Sequence, residues 1–290
     1  MGPTDIQFRV CGTMAPVDLS AARRLAADSF YLTDFVSTLL GAVDLDQVYA
    51  DLWATCPWAP RDHPAMLYRK TLLNRDKAFL VESTAEEAVV DAPPAFMRKY
   101  FYPGFQYESM ELFYRPIGNV PIVAQLVAAL SQLEYRLPGD HEGVWRPVVA
   151  NNVIATHYND NDFIGWHHDK TLDIREDSLI IIFTFGARRE FHIRDKASHE
   201  VEHVVVMEPG SMLVLGWQTN LVKEHSVVPL ADERVLPPPD ELEPPAGGRI
   251  SLVMRDIKTV VSLETASRAG AKTRRNRALT AARKALADKL

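Results

Sequence analysis

The spacing of apolar positions changes along this chain. Over the first 135 or so residues they recur three or four apart: Val17, Ala21 and Leu25, then Phe35, Leu39, Leu40 and Val43, then Val48 and Leu52. Side chains at that spacing share one face of a helix, so this region is expected to be mainly helical. Pro121, whose fixed φ suits a first turn, opens another predicted helix with Ile122, Leu126, Leu130 and Leu133 on one face.

From Val148 the pattern becomes one of short β-branched runs separated by Gly, Pro, Asn or Asp. These runs are Val153-Ile154-Ala155, Leu179 to Phe185, Glu190 to Arg194, Val201 to Glu208, Met212 to Leu215, Glu224 to Val228 and Ile250 to Met254. Strands prefer such residues, and turn formers bound them. Seven or eight strands without helices between them predict a two-sheet jelly roll of the cupin kind. Leu179 to Phe185 is apolar throughout, which predicts a strand covered on both faces. The expected class is α+β: a double-stranded β-helix core with a helical N-terminal region. In this reading residues 1–140 form the helical region and a possible substrate lid, 141–262 the core, and 263–290 a basic helical tail.

At 290 residues the chain is long enough for one large domain with elaborations. Its two cysteines, Cys11 and Cys56, are too few and too scattered for a disulfide framework or a thiolate metal site, which fits a reducing compartment. No apolar run approaches the roughly 20 residues that span a bilayer, and the N-terminus lacks a basic region followed by an apolar one. An intracellular protein, cytoplasmic or nuclear and without a membrane partner, is expected; oligomeric state is left open. Charge is uneven: residues 264–290 hold eight Lys or Arg against two acids, so the preceding 263 carry about −12 within the overall −6. A nucleic-acid binder usually shows a basic footprint, and here only the tail does. In that tail Leu279, Ala282, Leu286 and Leu290 form an apolar stripe opposite Arg275, Arg283 and Lys284.

The stretch Thr156 to Asp169 carries the strongest candidate chemistry. If His167 and Asp169 lie on one strand, alternation points them to the same side and His168 to the other. An imidazole nitrogen and a carboxylate oxygen, joined by a second histidine from a distant strand, make a facial triad that leaves three positions of an octahedral iron open. His225, in a strand with apolar Val227 and Val228, is the candidate for that ligand, whereas His199 and His203 sit among acids like solvated positions. Arg249 and Arg255, six apart, share one face of a strand, and a guanidinium is a rigid fork suited to a carboxylate. Seven aromatics from Tyr100 to Tyr114 either pack the sheet against the helices or offer faces on which an exposed base could stack.

Taken in order, these features resemble the AlkB-like branch of the Fe(II)- and 2-oxoglutarate-dependent dioxygenases. Tyr158 precedes His167-x-Asp169 by nine residues; Gly186, Arg189-x-Phe191 and Gly210 follow; and His225 precedes Arg249-Ile-Ser-Leu-Val-Met-Arg255. The resemblance implies that His167, Asp169 and His225 hold Fe(II). It implies that Arg249 pairs with the distal carboxylate of 2-oxoglutarate, that Tyr158 donates to it, and that Thr156 and Ser251 lie beside it. Arg255 would act near the iron, orienting ligands and carboxylates. With O2, such enzymes convert 2-oxoglutarate to succinate and hydroxylate a substrate C–H bond; a methyl on a base nitrogen would leave as formaldehyde. The implied partner is therefore nucleic acid, RNA or DNA carrying N-alkylated bases.

Two positions depart from the family pattern. Thr156 stands where the family has asparagine, and Thr171 where bacterial members carry an acid that helps read the base. The Pro-rich, acidic stretch Leu236 to Pro245 lies in the long 230–248 connection, and its composition predicts a disordered insertion or a partner contact. Two alternatives stay beside the demethylase: a hydroxylase of a protein side chain or small molecule on the same fold, and a non-catalytic binding protein. The second alternative would be expected to have lost a triad residue or an arginine.

Overall fold

The computed structural model describes residues 5–13, 16–58, 66–67, 70–71, 76–82, 96–98, 114–141, 144–159, 162–171, 174–228, 247–257 and 260–262. Most of the aromatic segment, the 230–248 connection up to residue 246 and the basic tail lie outside the described residues.

Strands β1 (Gln7–Val10), β2 (Arg23–Ala26) and β3 (Ser29–Leu32) lead into helices α1 (Phe35–Leu40) and α2 (Leu45–Thr55). Strands β4 (Met66–Leu67), β5 (Lys70–Thr71), β6 (Asp76–Val81), β7 (Phe96–Arg98) and β8 (Tyr114–Pro116) precede helix α3 (Pro121–Leu130), β9 (Leu133–Arg136) and β10 (Arg146–Pro147). Then come β11 (Asn152–Tyr158), β12 (Ile164–His167), β13 (Ile180–Gly186), β14 (Arg189–Asp195), β15 (Val201–Met207) and β16 (Met212–Leu215). Helix α4 (Trp217–Val222) runs into β17 (Lys223–Val228), followed by β18 (Arg249–Arg255) and β19 (Val260–Ser262).

All seven strands read from the sequence are present. They are divided between an eight-stranded sheet, ordered β2-β3-β16-β13-β18-β11-β6-β8, and a four-stranded sheet, ordered β12-β17-β14-β15. Among the described residues the protein is mostly β-sheet with few helices, as a jelly roll requires. An inter-sheet cluster including Ile154, Tyr158, Ile180, Ile182, Phe191 and Val227 joins the two layers, because alternate residues of both sheets turn inward. The outer face of the large sheet is covered by helices, so β13 is buried on both sides as its almost wholly apolar run predicts.

The region up to residue 140, expected to be mainly helical, is mixed. Helices form at α1, α2 and α3. Asp44 caps α2 by accepting from the backbone N–H of Asp46 (3.0 Å) and Gln47 (3.2 Å), and Val48, Tyr49 and Leu52 are its buried face. The Val17 to Leu25 spacing does not make a helix. Leu25 lies in β2, and β3 (Ser-Phe-Tyr-Leu, buried throughout) pairs with β16. Three apolar residues four apart are a short signal, and pairing of β2 with β3, itself paired with a strand almost two hundred residues away, overrides it. Leu133, read as the end of the α3 stripe, instead begins β9. Four strands that precede residue 140 thus extend the large sheet.

Gly186 ends β13 at φ +78°, where a Cβ would lie 2.4 Å from the Gly248 carbonyl oxygen. Only glycine permits both that dihedral and that approach, which brings the start of β18 against the end of β13.

Candidate active site

Two histidines far apart in the chain become neighbours through strand pairing. His167, the last residue of β12, is the register partner of His225 on β17, with an irregularity in the ladder just before it. Their rings lie 4.2 Å apart between centroids, and Phe191 stacks on His225 at 5.2 Å and 12°. Asp169 joins them. Ligand atoms of His167, Asp169 and His225 lie within 4.8 Å of one another, the one such group among the described residues that could hold a metal ion. His199 and His203, the competing histidines, are not part of it.

The expected route to this arrangement needs correcting. β12 stops at His167, so Asp169 is not its strand neighbour two residues on; it sits in the loop that follows. The Asn220 side chain, on α4, holds the Asp169 backbone there. The Asp169 N–H donates to Asn220 Oδ1 and Asn220 Nδ2 donates to the Asp169 carbonyl, each at 2.9 Å.

Charge and hydrogen bonding prepare all three groups as ligands. The backbone carbonyl of Gly165 lies 2.8 Å from His167 Nδ1, which assigns the proton to Nδ1 and leaves the Nε2 lone pair for a metal. Arg255 donates to Asp169 Oδ2 from Nε (3.0 Å) and Nη2 (2.7 Å), leaving Oδ1 for the ion. Burial alone would raise the Asp169 carboxyl, but the Arg255 guanidinium, with smaller contributions from His225 and His167, holds it below its ordinary value. Burial pushes both imidazoles toward the neutral form, and the His225 pKa falls to about 3, helped by the charge of His167. An anionic carboxylate and two neutral imidazoles are the protonation states a divalent metal binds.

Beside this cluster, the inner face of the large sheet carries polar residues in register. Thr156 on β11 pairs with Ser251 on β18, which pairs with Thr184 on β13, and on the other side Thr156 pairs with Lys77 on β6. One step further along, Tyr158 is the register partner of Arg249. Arg249 is 1% exposed, its guanidinium lies 4.9 Å from the Tyr158 ring centroid, and Nη2 donates to Thr184 Oγ1 at 3.0 Å. Its Nε and Nη1 are buried with no hydrogen-bond partner. A buried cation with two unused donors is costly unless an anion completes it. This observation tests the fit of 2-oxoglutarate directly: the site offers two unpartnered guanidinium donors, buried, on the sheet face that also carries Arg255 and through it Asp169.

Three positions escaped the sequence reading. Thr184 is the one polar residue in the run Leu179 to Phe185, overlooked when that run is read as apolar throughout, and it was a signal that could have marked the position. Lys77 lies in phase with inward-facing Phe79 and Val81, and its charge acts on His167. Asn220 carries no local signal, since its importance arises only where α4 meets the β12 loop.

A jelly roll that sets two imidazoles and one carboxylate around a shared point, next to a buried arginine fork, defines an oxygenase of the non-haem-iron type with an anionic co-substrate. The 2OG-Fe(II) oxygenase superfamily model matches residues 103–255, more than half of the chain, and the chain belongs to that superfamily. It is a dioxygenase that depends on Fe(II), 2-oxoglutarate and O2. No curated protein sequence matches the chain. Among solved structures, "The structure of OsALKBH1" is similar at a TM-score of 0.48 and 16% identity, covering 81% of this chain and 99% of that one. An oxidoreductase of the 2OG-Fe(II) oxygenase family from Burkholderia pseudomallei is similar at a TM-score of 0.40 and 16% identity, covering 78% and 84%. No described helix is long and apolar enough to cross a membrane.

Proposed function

We propose that the protein is an AlkB-like oxygenase that removes alkyl groups from base nitrogens of RNA or DNA. In this reading His167, Asp169 and His225 hold Fe(II), and Arg249 with Tyr158, Thr156 and Ser251 holds 2-oxoglutarate. The observation that carries the co-substrate half is the pair of unused donors on buried Arg249. The substrate half is supported by the order of family motifs, from Tyr158 nine residues before His167 to Arg249 and Arg255 six apart.

Bound together, Fe(II), 2-oxoglutarate and O2 supply hydroxylation of an unactivated C–H bond, with succinate and carbon dioxide as the co-products. The chain's residues prepare that chemistry. Arg249 binds the distal carboxylate and thereby fixes how far the co-substrate reaches toward the triad. Arg255 keeps Asp169 anionic. Gly165 holds the proton of His167 on the far side of the ring, and the apolar walls of the inter-sheet cluster exclude bulk water. Hydroxylation of an N-methyl carbon gives a hemiaminal that collapses to formaldehyde and the free base nitrogen.

One second reading has its own support. The acidic body of the chain and Thr171, in place of a base-reading acid, favour a hydroxylase of a protein side chain or small molecule. A single experiment separates the two. Anaerobic protein with Fe(II) and 2-oxoglutarate is exposed to O2 with methylated RNA, with methylated DNA and with neither, and succinate and formaldehyde are followed beside His167→Ala. Formaldehyde in step with succinate on one oligonucleotide establishes the demethylase. Slow succinate indifferent to oligonucleotide moves the substrate to protein or metabolite. No succinate above the His167→Ala level refutes the iron site.

A further inference from the structure

Asp169 is the one triad residue that its own strand does not place. The β12–β17 ladder ends at the His167 and His225 pair, and the chain then leaves the sheet. An unpaired loop ordinarily samples many backbone conformations, each of which would carry the carboxylate elsewhere. We propose that Asn220 is the positioning residue of this carboxylate and that Asp28 holds Asn220 in turn, so that metal affinity depends on a relay outside the ligand set. The inference rests on the metal-site reading above.

The Asn220 carboxamide donates to and accepts from the same residue's backbone, at 2.9 Å in both directions. This is the exchange a hydrogen-bonded partner on a neighbouring strand would make, so the side chain replaces the strand that Asp169 lacks. Asn220 is 2% exposed, and water cannot readily substitute for it.

Helix α4 has only six residues and is too short to hold its own position. Its anchor is the turn between β2 and β3 in the opposite sheet. Asp28 Oδ2 accepts from the backbone N–H of Gln218 (2.9 Å) and Thr219 (3.3 Å), and the Thr219 hydroxyl donates to Asp28 Oδ1. Ser29 Oγ accepts from the Gly216 N–H at 2.9 Å. A Cβ on Gly216 would lie 2.1 Å from Asp28 Cγ, so glycine is what lets the carboxylate approach the start of the helix. At its other end α4 continues directly into β17, which carries His225. One short element thus sets two of the three ligands: Asp169 through the Asn220 side chain and His225 through the chain itself. Asp28 fixes that element against the large sheet.

The test measures binding of Mn(II), a redox-stable probe for the divalent site, to full-length protein by calorimetry or by EPR of the free ion. Wild type and His167→Ala come first; equal affinity in these two would refute the metal-site reading itself. With that reading standing, Asn220→Ala is expected to bind Mn(II) about 10- to 100-fold more weakly, the usual cost of losing a group that orients a ligand. Asp28→Ala is expected to weaken binding as well, and the double variant to lose less than the product of the two. Asn151→Ala controls for general destabilisation. Asn151 is also buried and bonds Asp256 and the backbone of Ile257, so its loss should lower Tm while leaving Mn(II) affinity unchanged. Mn(II) affinity of Asn220→Ala within twofold of wild type overturns the proposal, as does an equal loss in Asn151→Ala. If Asn220→Ala does not fold, Thr219→Val, which loosens the Asp28 anchor without touching Asn220, decides by the same twofold criterion.

Discussion

Removing Arg255 should cost the metal-free protein more than removing both members of its ion pair. Arg255 and Asp169 are buried, with side chains 6% and 9% exposed, and their two hydrogen bonds of 2.7 and 3.0 Å make a closely matched pair. Taking away one partner of a buried pair leaves an uncompensated charge and costs roughly 3–5 kcal/mol. Converted at about 2–4 °C per kcal/mol for a large domain, Arg255→Met is expected to lower the apo Tm by about 6–20 °C. Methionine keeps most of the apolar stem, so lost packing contributes little. Asp169→Asn in the same background removes the stranded charge and should recover most of the loss.

The pH dependence of the pair has a definite sign. In wild type the Asp169 pKa is depressed, so its stabilisation is present above the unfolded carboxylate value of about 3.9 and disappears as pH falls through the folded value. Without Arg255, burial dominates and raises the carboxyl, so the gap between variant and wild type should narrow as pH falls from 7 toward 4. Saturating Mn(II) should also restore more stability to the variant than to wild type, because the ion then becomes the only strong counter-charge to Asp169. Differential scanning fluorimetry of the three proteins across pH, with and without Mn(II), measures all of this. An apo Tm for Arg255→Met within about 2 °C of wild type, or no recovery in the double variant, would show that the pair is not what keeps the carboxylate charged.

Three further outcomes follow from the same structure. Arg249→Met should weaken 2-oxoglutarate binding to the Mn(II)-loaded protein by about 10- to 100-fold, the worth of a charged hydrogen bond of roughly 1.5–3 kcal/mol, and Thr184→Val by less; calorimetry without turnover reads both. His225 has a pKa depressed to about 3 by burial, so the unfolded chain binds more protons than the native one between about pH 6.5 and 3, and apo stability should fall as pH drops through that window. A Tm profile for His225→Gln as steep as that of wild type there would refute the assignment. Burial pushes the Cys56 thiol up to about 12 while Cys11 is exposed, so iodoacetamide at pH 8 should label Cys11 alone until the protein is unfolded, as peptide mass spectrometry will show.

The strands of the core and the candidates for the triad were legible because both show in the order of residues along the chain. A β-branched run bounded by turn residues declares itself within a few positions, and His-x-Asp followed by a distant His and paired arginines keeps its order however the chain folds. Even so, the local geometry inferred for the triad was wrong in one respect. Strict alternation placed Asp169 on a strand with His167, whereas the strand stops and a carboxamide from α4 takes over. The N-terminal strands were missed for the opposite reason: the Val17 to Leu25 spacing satisfies a helix locally, and the strands form there through pairing of β2 with β3 and of β3 with the distant β16.

By itself, the sequence determined that a two-sheet β core would form, that two histidines and an aspartate were its metal-binding candidates, and that Arg249 and Arg255 would share a face. Tertiary structure alone decided which groups meet. Register puts His167 opposite His225 and aligns Lys77, Thr156, Ser251 and Thr184 in one polar row. The approach of the β2–β3 turn to Gly216 fixes α4, and through Asn220 fixes Asp169. The physical reason is range: periodicity and propensity act over a few residues, whereas hydrogen bonds and ion pairs select among contacts between residues that are distant in the chain.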